Sequence, residues 1–83
     1  MNRKDWTPKE DEALLQESIK FKLKWSEIAK TVIGRTQHSV KNRFIYLVNK
    51  ELEIPREKIR ENIRKKEAWK LAALALEHLK VIN

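Results

Sequence analysis

Apolar residues recur along the chain in three consecutive stretches with helical spacing. Ala13, Leu14, Leu15, Ser18, Ile19 and Phe21 form the first stripe, out to about Lys22. Ile28, Ala29 and Val32 form the second, and Val40, Phe44, Leu47 and Val48, with Glu51 on the same side, form the third. Intervals of three and four keep each set on one side of a helix, where it can face a common core. Start and stop residues bracket the stripes. Thr7-Pro8-Lys9-Glu10 reads as an N-cap, a proline at the first helical position and a glutamate closing a capping box. The second helix, from Trp25 through Val32, stops at Gly34, and Thr36 can cap a third that runs from Gln37 to about Leu52. Runs with a period of two are absent, so the predicted fold is all-α.

Each helix also carries one large ring. Trp6, Trp25 and Phe44 stand at equal steps of nineteen residues, and each can bury ~150 to 250 Å² in a shared core. The tight, glycine-containing turn between the second and third helices has the layout of a helix-turn-helix. Glu10, Asp11 and Glu12 fall in the first turn of the first helix, where the dipole favours them; one of them can pair with Arg43.

Glu53-Ile54-Pro55 ends this pattern and divides the chain into a core, residues 1–54, and an extension, residues 55–83, expected to form a fourth helix. Up to Glu67 the extension is charged, with Ile59 and Ile63 as an apolar pair and Glu61 and Lys65 as an ion pair. From Ala68 onward it turns apolar: Trp69, Leu71, Ala72, Leu74, Ala75, Leu76, Leu79, Val81 and Ile82 cover more than one stripe. Two arrangements hide such a surface. The extension folds back onto the core, with Ile45 or Tyr46 receiving it, or Trp69, Leu71, Leu74, Leu76 and Leu79 form an interface with a second copy or another protein. The partner interface is the expectation, because such an apolar surface left bare would aggregate.

Composition narrows the function. The 83 residues suffice for one small domain, and their net charge of +7 favours polyanionic partners. With no cysteine there are no disulfides or thiolate metal sites. The longest apolar-rich stretch, Ala68 to Leu76, is far too short to cross a bilayer, and the start has no apolar signal segment, so the chain reads as a soluble intracellular protein. His38 and His78 lie far apart, and no nucleophile motif or phosphate-cradling glycine loop is present. The expectation is a protein that is not an enzyme, with no metal and no cofactor.

The outer side of the third helix carries His38, Lys41, Asn42, Ile45 and Asn49. Lysine can donate to guanine O6 or N7, asparagine can engage adenine N6 and N7, histidine can donate or accept, and isoleucine can meet a thymine methyl. The runs Trp6-Thr7-Pro8-Lys9-Glu10-Asp11, Trp25-Ser26-Glu27-Ile28-Ala29-Lys30, Gly34-Arg35-Thr36 and Val40-Lys41-Asn42-Arg43-Phe44 together resemble a Myb repeat of the Myb/SANT family. The resemblance spans about Asp5 to Tyr46, and phenylalanine in the third aromatic place departs from the family's tryptophan. It implies a three-helix domain whose third helix enters the major groove of double-stranded DNA, with Lys41 and Asn42 at the main base-reading positions and His38 and Ile45 beside them. Arg35, Thr36 and Ser39, near the helix start, and Arg3 and Lys4, as a short arm, are candidates for phosphate contacts. Nuclear localisation and a role in transcription or chromatin regulation follow from the same resemblance. The alternative within the family is a SANT-type module that binds histone tails or other proteins, which the positive charge disfavours.

Overall fold

A computed structural model of the chain describes residues 5–32 and 34–82, with only the backbone described for residues 81 and 82. Among the described residues five helices follow one another: α1 (Pro8–Lys20), α2 (Trp25–Thr31), α3 (Gln37–Leu52), α4 (Arg56–Arg64) and α5 (Trp69–Ile82). The caps form as the sequence predicts. Thr7 Oγ1 accepts from the Glu10 amide (3.1 Å) while Glu10 Oε1 accepts from the Thr7 amide (3.0 Å), and Thr36 Oγ1 accepts from the Ser39 amide (3.0 Å). Two of the otherwise unpaired donors at the start of α1 and one at the start of α3 are thereby satisfied.

The first helix ends two residues before the expected Lys22, because Lys22 and Leu23 adopt left-handed backbone angles (φ 49° and 64°). Leu23 packs its side chain against the core, which offsets the cost of that conformation. Gly34, with φ 87°, occupies a conformation that suits glycine and turns the chain from α2 into α3. The core is continuous from α1 to α5 and includes Leu14, Leu15, Ile28, Phe44, Val48 and Ile59. Phe44 is fully buried, and Trp25 meets it edge-on with ring centres 5.5 Å apart. Trp6 is only partly buried and lies against the core as a platform for arginines, described below.

The extension departs from expectation in two ways. It is two helices, not one: the chain leaves α4 through Lys66 (φ 60°), and the Glu67 amide closes the end on the Asn62 carbonyl (2.9 Å). The break has a geometric cause. Ile59 and Ala68 are nine residues apart, as are Ile63 and Ala72, and nine steps of ~100° set residues on opposite sides of a continuous helix. Such a helix over residues 56–82 would also be ~40 Å long, more than the 34 Å longest extent of the molecule. The turn at Lys66 lets Ile59 enter the core from α4 and Ala68, Ala72 and Ala75 enter it from α5, each fully buried.

Second, the extension folds back in cis. α5 lies across α1 and α3, where its small buried alanines permit close approach. Leu71, Leu76 and Leu79, expected at a partner interface, pack against this core; Trp69 is partly buried, with the Lys22 ammonium 4.1 Å from its ring centre. Of the five residues assigned to that interface, only Leu74 is exposed, at 54%. His78 Nδ1 lies 2.8 Å from Glu51 Oε1, tying α5 to α3 at a carboxylate that the third stripe had carried toward the core.

Candidate nucleic-acid interface

The outward side of α3 is set by what holds its inward side. Val40, Phe44, Leu47 and Val48 are buried, and Arg43 grips Asp11 with two hydrogen bonds, Nε to Oδ1 (2.9 Å) and Nη2 to Oδ2 (2.8 Å). The Asp11 hydrogen bond raises the Arg43 pKa above its ordinary value, outweighing the opposing effect of burial. This fork fixes the rotation of α3 against α1. His38, Lys41 and Asn42 then stand exposed on the first turns of α3.

Asn42 is held by its neighbour. Its Nδ2 lies 3.0 Å from His38 Nε2 one turn earlier, a hydrogen bond that the imidazole accepts in the tautomer with its proton on Nδ1. Asn42 Oδ1 and the second Nδ2 hydrogen remain for another group. Lys41 has no ion-pair partner among the described residues, and its ammonium is free to meet an acceptor.

Two of the expected site residues are placed elsewhere. Ile45 is only 4% exposed and belongs to the core cluster, so its assignment to the base-reading side is corrected. The wheel leaves position 45 outward for a three-helix body; in the five-helix fold it is buried. Arg35 is corrected as well. Its side chain is 4% exposed, donates to the Asp5 carbonyl (2.6 Å) and to both Glu10 oxygens (3.2 and 3.4 Å), and lies 4.3 Å above the Trp6 ring. Arg35 thus locks the turn before α3 onto the start of α1, and its guanidinium is occupied.

Among the remaining expected contacts, Thr36 is exposed and spends its oxygen on the Ser39 amide, while Ser39 is half-buried. Asn49, also drawn on the outer side, turns its Nδ2 to the Ile54 carbonyl (2.9 Å) and anchors the link to α4. Arg3 and Lys4 lie outside the described residues. Of the two residues expected to receive a folded-back extension, Ile45 is buried, whereas Tyr46 stays 37% exposed beneath Arg43 (4.6 Å); sequence reasoning did not assign a role to the exposed row Arg56, Arg60 and Arg64 on α4. The recurrence of arginine every fourth residue was the available signal for that row.

A cleft of about 350 Å³ between α1, α3 and α5 offers an alternative site. Leu47, Leu76 and Leu79 line it among charged groups, but Asp11 and Glu51 are already engaged by Arg43 and His78. No group of three His, Cys, Asp or Glu residues among the described residues could hold a metal ion, and no described helix is long and apolar enough to cross a membrane.

α2, the turn through Gly34 and α3 define a helix-turn-helix protein, with the second helix of the motif presenting His38, Lys41 and Asn42. The chain belongs to the Myb-like DNA-binding domain family, which matches residues 3–48. It is similar to two proteins of Arabidopsis thaliana, transcription factor MYB88 and transcription factor MYB124, with 48% identity over 48 residues in each case. These alignments cover 58% of the chain but 10% and 11% of the two relatives. Bradyzoite-formation deficient protein 1 of Toxoplasma gondii (strain ATCC 50611 / Me49) is 43% identical over 54 residues, 65% of the chain and 2% of that protein. The chain therefore spans about a tenth or less of the length of these relatives. No solved structure matches the chain significantly. The family match stops within α3, so α4 and α5 lie beyond it.

Proposed function

We propose that the protein binds double-stranded DNA in a sequence-dependent manner, with the N-terminal half of α3 in the major groove, as a nuclear regulator of transcription. The observation that carries this reading is the exposed triad His38, Lys41 and Asn42 on the second helix of a Myb-like helix-turn-helix. Lys41 is suited to guanine O6 or N7. Asn42 can accept from adenine N6 through Oδ1 and donate to N7 through the Nδ2 hydrogen that His38 leaves free. Because the amide is oriented before contact, less freedom is lost on binding.

Burial of Ile45 shortens the reading surface. From residue 38 to residue 42 a helix rises only ~6 Å, roughly two base-pair steps of 3.4 Å. One chain thus reads a short element, and much of its affinity comes from phosphates. The names of the two plant relatives support a role in transcription; a SANT-type histone contact is disfavoured by the net charge of +7, which repels basic tails.

The test is selection of duplexes from a random pool, followed by titration of the selected site with Lys41→Ala and Asn42→Ala. Each variant is expected to lose ~1 to 3 kcal/mol on that site and much less on unrelated duplex. Folded variants that bind the selected site like the parent would show that α3 is not the reader.

A further inference from the structure

We propose that α4 is a second DNA-contacting element, which holds the phosphate backbone at the rim of the major groove while α3 reads within it; this rests on the DNA-binding reading above. Position is the first argument. α4 packs against α3 alone among the described helices, and the Asn49 bond to the Ile54 carbonyl ties the start of α4 to the C-terminal half of α3. α4 therefore stands beside the C-terminal half of α3, whose N-terminal half carries the reading residues.

Dimensions decide where that puts α4 on DNA. A helix with its side chains is ~10 to 12 Å across, and the major groove is ~12 Å wide. Only one helix can enter. A helix packed beside it, with its axis ~8 to 10 Å away, stays outside the groove, at the distance where the phosphates of the groove edge come within reach of long side chains.

Charge is the second argument. Between residues 56 and 66 the chain has six cationic and two acidic residues, a net of +4 out of +7 for the whole protein. Ion pairing within this segment is slight: Lys65 lies 3.6 Å from Glu61 in an exposed pair. Arg56, Arg60 and Arg64 recur every fourth residue, forming one exposed row with no ion-pair partner among the described residues. Arg35 and Arg43, by contrast, are committed to Glu10 and Asp11. An unpaired arginine row beside a base-reading helix is complementary to a phosphate strand, which arginine binds in a fork geometry.

The test compares the full chain with Arg60→Gln/Arg64→Gln and with a charge-matched control, Lys20→Gln/Lys80→Gln, on α1 and α5. Fluorescence anisotropy on a labelled duplex is measured at several salt concentrations, with circular dichroism to establish folding. Removing two phosphate contacts should make the slope of log K against log salt shallower by about 2. The affinity lost between about 50 and 200 mM salt then shrinks by about 10-fold, with the order of base preferences unchanged. The control should keep the parental slope. A parental slope and affinity in Arg60→Gln/Arg64→Gln, or an equal change in the control, would overturn the role of α4. A parent chain that does not bind duplex at low salt would overturn the DNA-binding reading itself and this one with it.

Discussion

The docking of the extension can be tested at two apolar residues with opposite surroundings. Ile59 is fully buried between α4 and the core, whereas Leu74 on α5 is 54% exposed. Ile59→Ala removes three carbons from a dry site, ~2.4 kcal/mol at 0.8 kcal/mol per methylene. A partly collapsed cavity adds up to ~1.5 kcal/mol at 24 cal/mol per Å³. The expected loss is ~2 to 4 kcal/mol, a large share of the ~4 to 12 kcal/mol that a domain of this length commands. Leu74→Ala leaves no cavity and improves helix propensity slightly, so its cost should stay below ~1 kcal/mol. Urea unfolding followed by circular dichroism and tryptophan fluorescence reads both, and Ile59→Ala should lower the melting temperature by more than ~8 °C. If Leu74→Ala costs as much as Ile59→Ala, or if Ile59→Ala costs under ~1 kcal/mol, the extension does not pack in cis as described. Concentration-dependent unfolding would then point to an assembly of chains in which Leu74 is buried.

The helix-rotation device and the reading residues offer further tests. Asp11→Ala strands the Arg43 guanidinium without its two charge-assisted hydrogen bonds and should cost ~1.5 to 3 kcal/mol in urea unfolding. His38→Ala frees the Asn42 amide to rotate; its adenine preference should weaken, but by less than in Asn42→Ala, as measured by competition between duplexes that differ at one base pair. Equal losses in the two variants would make His38 a base reader in its own right.

Much of the fold was legible because its signals are local. The Thr7 capping box, the Thr36 cap and the glycine at position 34 act within one turn of chain, and the helices begin where those residues stand. The pairing of an acidic residue with Arg43 was legible too, since the caps and stripes already set the two helices against each other. Arg35 shows where this reasoning stops: a basic residue beside a recognition helix has the same sequence signature whether it holds phosphate or, as here, Glu10 and the Asp5 carbonyl. Only the approach of a segment twenty-five residues earlier decided between them.

Ile45 and Lys66 mark the same boundary from the side of packing. Hydrophobic spacing by itself determined that there would be helices, a helix-turn-helix among them, and that Lys41 and Asn42 would project away from Phe44. The tertiary structure alone decided that the extension would break at Lys66 and return to the core, and that Ile45 would be buried. Periodicity records which residues share a side of one helix, but burial of that side depends on the surfaces other segments bring to it. For α5 those surfaces come from residues far away in the chain, on α1 and α3, and for α4 from the preceding helix, α3.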